Sequence, residues 1–341
     1  MIIDAHVHLV GDGSGGSGCW YRPRPAGRLM APLFWRAMGL TRVDRRAGLD
    51  GAYLARLLGF LRASSLDAIA LFAQDAVYRE DGSRWEERGT FHVPNDVILA
   101  LARGEPRVLP VVSIHPARAD ALAELDRCVA AGAVALKLLP NCHNVDCALP
   151  RYRRFWEALA AHGLPLIAHT GAESVVDEVR RDLADPHTLR APLAAGATVI
   201  AAHCGIGTGV VDPDYFPEFR AMLAEFPNLY GDTAAFALPN RFHRLRATLR
   251  PGVVERLVHG SDVPVPVMPH AGVLAGRFGV GTWWRLRRIR NPLERDYRFK
   301  RALGYPDSVF SRAARLLRRP GAPLPGPPSP ASPVPPAAAP G

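Results

Sequence analysis

The sequence predicts an α/β fold: a (β/α)8 TIM barrel with a long β1–α1 insertion and a helical C-terminal extension. Three observations carry this. Eight short, near-continuously apolar runs recur along residues 1–262, as parallel strands covered on both faces require. Helix-period stretches separate them over about 265 residues, the length of such a barrel. Gly11, Gly13 and Gly16 fit a Gly-x-Gly-x-x-Gly spacing after the first run, but they start a long insertion (11–50) instead of a short strand–helix–strand unit, which disfavours an open doubly wound sheet.

The elements follow in order. Met1–His8 is the first strand; no basic leader or apolar signal segment precedes it, so a cytoplasmic protein is expected. Residues 11–50 form the insertion, with a glycine-rich start at Gly11–Gly18 and aromatics at Trp20, Tyr21, Phe34 and Trp35. It reads either as a lid or substrate wall over the catalytic face, or as a surface loop packed by its own aromatics. The next strands are Leu66–Phe72, Val108–Ile114, Ala133–Leu139 and Pro165–His169, then Thr198–His203, Leu229–Asp232 and Leu257–Asp262. Helices are expected over Tyr53–Arg62, Ala117–Ala131, Arg151–His162, Tyr215–Phe226 and Arg241–Leu249. Gly132, Gly163 and Gly196 each stand just before a strand, where helices end on glycine. Asn291–Leu317 reads as a helical hairpin whose second helix starts at Pro306-Asp307. Pro320–Gly341 holds ten prolines and three glycines among 22 residues, too little apolar bulk to offset ordering, so a disordered tail beyond a 1–319 domain is expected.

The chain carries a net charge of +10, and 40 of its 42 basic residues are arginine. From Arg277 to Arg319 there are 13 basic and 3 acidic residues, so the rest balances at 29 against 29. The charge therefore belongs to one basic helical extension, 277–319. Its run Trp283-Trp284-Arg285-Leu286-Arg287-Arg288 is compatible with nucleic acid or an anionic membrane. A face packed on the barrel or shared in a homodimer is the preferred reading, with neither nucleic acid nor membrane as partner. Five cysteines without a CxxC pair exclude a disulfide framework or a thiolate zinc knuckle.

Chemistry concentrates at the strand ends. His6 and His8 end the first strand two residues apart, so they can share one face and reach one metal ion. His169 closes the fifth strand, His203 the sixth and Asp262 the eighth, the barrel end where catalytic groups of this fold collect. A lone histidine there is as readily a satisfied core residue; four with an aspartate form a site. Lys137 lies inside an apolar run of a chain with only two lysines. It suggests chemistry closed to a guanidinium: a metal-ligating carbamate, or a point charge gripping a carboxylate. A lysine snorkelling from the strand end is the plainer alternative. His115, His143, Asn144 and Asp146 are weaker candidates. Asp232 reads as a support for the ligands, and His259 and Cys204 as buried structural groups.

This order of residues resembles the amidohydrolase superfamily over about residues 1–317. Phe91-His92-Val93-Pro94-Asn95-Asp96 and Asn291-Pro292-Leu293-Glu294-Arg295-Asp296 resemble its amidohydrolase-related branch, which includes decarboxylases. The resemblance implies His6, His8, His169 and Asp262 as ligands of one divalent metal. It implies His203 as a second-site ligand or a handler of substrate and protons, and Lys137 as the lysine carboxylated to bridge two ions in some members. Zn²⁺ is expected first, with Mn²⁺ or Fe²⁺ open and one or two ions. Asp262 and His203 would be the catalytic residues. The expected activity is hydrolysis of an amide, ester or lactone bond in a small molecule; decarboxylation of an aromatic or enoic acid is the alternative.

Overall fold

A computed structural model describes residues 1–171, 173, 175–207 and 212–318. Its parallel strands are β1 (Ile3–His8), β2 (Ala68–Phe72), β3 (Val108–Val112), β4 (Ala135–Leu138), β5 (Leu166–His169), β6 (Val199–Ala202), β7 (Leu229–Asp232) and β8 (Leu257–Val258), adjacent in that order. The segment after β8 returns to β1. The Ala5 N–H donates to the His259 carbonyl at 2.8 Å, the Asp262 N–H to the His6 carbonyl and the His8 N–H to the Val263 carbonyl, each at 2.9 Å. The barrel is thereby nearly closed. All eight expected strands are present, but β6 and β8 stop short of their functional residues. His203 and Asp262 lie just beyond, in left-handed backbone with φ of 63° and 69°.

Alternation along the strands sorts the core into two shells. Ala70 and Phe72 of β2, Ala135 of β4, Ile167 of β5 and Ile200 and Ala202 of β6 pack together inside the barrel. Their neighbours Leu71, Leu136, Leu166 and Ala201 pack outward with the helices. By the same alternation Lys137 follows Ala135 inward, and His169 follows Ile167. In β1 the pattern needs a correction, because Ile3 and Ala5 belong to the inner shell and Val7 to the outer. Between Asp4 and Val7 the register against β2 slips, with one extra residue in β1. This bulge re-aims the strand so that the His6 ring lies 4.7 Å and the His8 ring 5.3 Å from the inner Phe72 ring.

The insertion folds into two helices, Pro25–Ala37 and Arg42–Ala47, ahead of Leu49–Arg62. Trp20–Tyr21 pairs antiparallel with Phe91–His92. The glycine-rich loop is tied down by the Asp50 carboxylate, which accepts from the backbone N–H groups of Asp12, Gly13 and Gly15 and from the Ser17 hydroxyl. At the other end, Asn291 caps helix Pro292–Leu303 and also donates to the Phe60 carbonyl at 2.7 Å. Ala313 and Leu317 join the inner shell and plug the barrel's N-terminal end. The tail expected over Pro320–Gly341 lies outside the described residues. Among the described residues no helix is long and apolar enough to cross a membrane.

Candidate metal centre

Three donors meet at the C-terminal mouth of the barrel: ligand atoms of His6, His203 and Asp262 lie within 4.8 Å of one another. His8 joins them, its Nε2 being 3.1 Å from His6 Nε2, and Asp262 Oδ1 lies 3.2 Å from both nitrogens. One carboxylate beneath arranges this set. Asp232 Oδ2 accepts the His6 Nδ1–H at 2.7 Å, while Oδ1 accepts the backbone N–H of His203 at 2.8 Å and of Ala234 at 3.0 Å. The His203 Nδ1–H donates to the Ala234 carbonyl at 3.0 Å. Both rings therefore present the Nε2 lone pair to the cluster. Asp4 secures the backbone, accepting the N–H groups of His6 and Ser261 through one oxygen.

Protonation states fit a cation. Burial lowers His8 to about 4, and burial together with the Arg241 charge lowers His203 to about 3, so both rings are neutral at pH 7. Burial and Lys137 push His6 down, but Asp232 and Asp262 outweigh them and its pKa is raised. Burial opposes ionisation of Asp262, yet the His6 charge and hydrogen bonds from His6 and His8 hold it well below the usual carboxylate range. Two neutral imidazoles and an ionised carboxylate around a His6 whose pKa is raised favour one positive charge at this point, carried by a proton on His6 or by an ion in its place. The buried Nδ1 of His8 and Nε2 of His169 have no hydrogen-bond partner. The donor set thus suits a divalent metal.

His169 stands beside this cluster rather than inside it. Its ring is 4.9 Å from the His203 ring, and its Nδ1 is 3.9 Å from Glu173. The tight group thus contains His203 where the expected quartet had His169. Lys137 Nζ is buried without a hydrogen-bond partner, 5.0 Å from the Phe72 ring centre, and burial lowers its pKa to about 8. His8, Lys137, His169, His203 and Asp262 line one cavity of about 270 Å³, with His6 just beneath it. Its walls are largely apolar, and the insertion contributes Tyr21, Met30, Phe34 and Trp35.

Several candidates lie elsewhere. His143 accepts from the Gln74 amide at 2.6 Å, and His115 donates to the His143 carbonyl, in a separate buried network. Asn144 donates to the Tyr78 carbonyl, Asp146 caps the N–H of Ala148, and Cys204 donates its thiol to the Asp232 carbonyl. His259 is wholly buried near Asp296. Sequence reasoning missed Arg241, Asn240 and Glu173, which also line the cavity. Arg241 was legible only as the start of a helix. Glu173, four residues beyond His169, offered a signal only in that spacing.

A (β/α)8 barrel with buried imidazoles and a carboxylate gathered at its mouth defines a class of barrel enzymes whose strand ends can hold a metal ion. Within that class, a family model described as amidohydrolase matches residues 3–279, and the chain belongs to this family in its amidohydrolase 2 branch. Solved structures share the fold. An uncharacterized TIM-barrel protein from Bordetella bronchiseptica is 16% identical with a TM-score of 0.56, covering 89% of this chain and 99% of that one. A Pseudomonas putida protein assigned as a 2-pyrone-4,6-dicarboxylic acid hydrolase is 16% identical, with a TM-score of 0.54 and coverages of 93% and 97%. The 5-carboxyvanillate decarboxylase of Sphingomonas paucimobilis is 14% identical, with a TM-score of 0.55 and coverages of 93% and 98%. No curated protein sequence matches.

Proposed function

We propose that this amidohydrolase-family protein is a metal-dependent hydrolase that cleaves an amide, ester or lactone bond of a small molecule. The convergence of His6, His203 and Asp262 donors, with His8 beside them, carries the reading. His6, His8, His203 and Asp262 would hold one divalent ion, Zn²⁺ first, and His169 with Lys137 borders a second position. A bound ion supplies Lewis-acid polarisation of a carbonyl and acidifies water. The chain's own residues do the rest. Asp262, ionised and facing the cavity, takes a proton from the attacking water and passes it to the leaving group. His203 Nε2 faces the same space with its lone pair free and its ring neutral, so it would act as a ligand of the ion and not as an acid. The apolar walls exclude bulk water and strengthen these interactions. The five free, buried cysteines accord with a cytoplasmic site of action.

A second reading rests on Arg241. This guanidinium, 5% exposed, lines the cavity near Asp262, and burial lowers its pKa. A forked cation in an apolar chamber suits a substrate carboxylate, so a metal-dependent decarboxylase of an aromatic or enoic acid is the alternative. Incubation with candidate lactones, esters and aromatic acids in ¹⁸O-labelled water separates the two. Label in the product supports hydrolysis, and carbon dioxide release without label supports the lyase. Protein that purifies without metal and turns over none of these panels refutes both.

A further inference from the structure

Charge and exposed apolar surface coincide outside the catalytic cavity. Of the eight arginines from Arg22 to Arg56 only Arg24 makes an ion pair, and of the six from Arg277 to Arg295 none does, among the described residues. Most of them are exposed. Elsewhere surface arginines commonly find carboxylates, as Arg127, Arg153, Arg180 and Arg190 do. The same two segments hold six of the nine exposed large hydrophobic residues described, Leu29, Met30, Leu33 and Val43 in the first and Val280 and Trp284 in the second, and Leu274 lies three residues before the second.

The segments adjoin. Leu33 and Arg36 of the insertion share one groove with Arg56, Met268, Arg290 and Arg295. Helix Pro25–Ala37 buries Ala31, Phe34 and Trp35 and turns Leu29 and Leu33, one turn apart, to solvent. Met30 on the same helix lines the catalytic cavity, so this face borders its mouth. Helix Val280–Arg288 buries only Leu286, and the Arg287 guanidinium lies 4.7–4.8 Å from the ring centres of Trp283 and Trp284.

We propose that this face docks the protein on an anionic phospholipid surface. Unpaired arginines interspersed with leucine, valine and tryptophan match a headgroup layer, which supplies phosphates to the guanidiniums and acyl boundary to the apolar tips. Protruding, scattered apolar side chains need no shape-matched partner there. A second copy of the chain would set one cationic face against another, and that repulsion argues against self-association. The sequence alone favoured a packed or self-associating extension without membrane contact; the clustering of unpaired charge with exposed apolar residues is what favours the bilayer instead. The proposal is independent of the metal centre.

The test is co-sedimentation of the full chain with vesicles of phosphatidylcholine alone and with about 30% phosphatidylserine, at low and high salt. Partitioning is expected to be on the order of tenfold stronger on the anionic vesicles and to fall as salt rises. Leu29→Glu with Leu33→Glu, and separately Arg36→Glu with Arg290→Glu, should each remove most of it. Leu122→Glu, at an exposed leucine outside both segments, should leave it unchanged. Circular dichroism confirms that each variant is folded. Absent binding, equal binding to neutral vesicles, or binding untouched by both pairs overturns the proposal. So does a stable dimer in sedimentation equilibrium that the same substitutions dissociate, or tighter binding to a single-stranded oligonucleotide than to the anionic vesicles.

Discussion

At the scale of single residues, Asp232 has the widest reach, because its two oxygens fix a ring and two backbone N–H groups around the cluster. Asp232→Asn keeps the shape and removes the charge that holds the His6 tautomer. Metal affinity, read by chelator competition, should fall about 10–100-fold. Asp262→Ala and His6→Ala should each strip most metal and activity; full occupancy by elemental analysis in both would end the ligand assignment. Compared metal-free, Asp262→Ala should melt near the parent, whereas His6→Ala should melt lower because it removes the imidazole partner of a buried carboxylate. Lys137 separates two states. A carbamate bridging two ions makes Lys137→Ala lower the metal content from about two per chain toward one, partly restored by short carboxylates, and this is the expected outcome. Unchanged metal content with a raised KM for an acidic substrate would identify a bare ammonium instead. The chain's other lysine, Lys300, is as deeply buried as Lys137. Retention of lysine in this arginine-rich chain therefore marks buried positions in general, and chemistry only where the amine faces a cavity.

At the scale of elements, the barrel strands were legible because a parallel strand buried on both faces leaves an apolar run that no surface element mimics. The devices that aim the chemistry were not. The β1 bulge has no composition of its own, and the left-handed backbone at His203, Cys204, Ala235 and Asp262 occurs without glycine at any of the four. Helix Pro25–Ala37 was also hidden, carrying Gly27 and Pro32 inside it; its packing on the cavity wall overrides poor helix propensity. The Gly11–Gly18 loop has a charge-dependent anchor. Burial opposes ionisation of Asp50, but the Ser17 hydroxyl and three backbone N–H groups outweigh it and lower its pKa. A carboxyl lowered on folding stabilises above its unfolded pKa, near 3.8, and loses that contribution as pH falls through the folded value. Amide hydrogen exchange within residues 11–18, corrected for intrinsic rates, should therefore quicken as pH is lowered below about 4. Asp50→Asn should exchange quickly on both sides of that pH. Parallel pH profiles for the two proteins would show that another group holds the loop.

At the scale of the whole molecule, the extension after Arg277 closes the barrel as well as carrying charge. Lys300 on helix Pro292–Leu303 is wholly buried, pairs with the buried Asp296 four residues earlier, and donates to the Gly260 carbonyl, two residues before Asp262. The same helix is capped by Asn291 and docks through Glu294, which accepts from the Ser65 N–H at 2.7 Å. The Asn291–Asp296 motif thus has a physical reading: it starts the helix, seats it on the barrel and supplies the buried carboxyl that Lys300 pairs with, whose pKa burial raises to about 7. Breaking that pair should be far worse than removing it. Lys300→Met leaves Asp296 buried without its cation, a loss of about 3–5 kcal/mol. For an ordered body of this size that is a fall in melting temperature on the order of 5–10 °C. Lys300→Met combined with Asp296→Leu fills the site with apolar groups and should recover most of the loss. The single variant should also loosen metal binding, since Gly260 anchors the segment that ends at Asp262, while the recovered double variant, lacking the Gly260 contact, should regain stability more fully than affinity. Deleting Pro320–Gly341 should change neither melting nor turnover, because the inner-shell plug formed by Ala313 and Leu317 precedes the cut. Differential scanning calorimetry with metal titration measures all three variants. A double variant no more stable than the single one would show that Lys300 acts through Gly260 rather than through its pairing with Asp296.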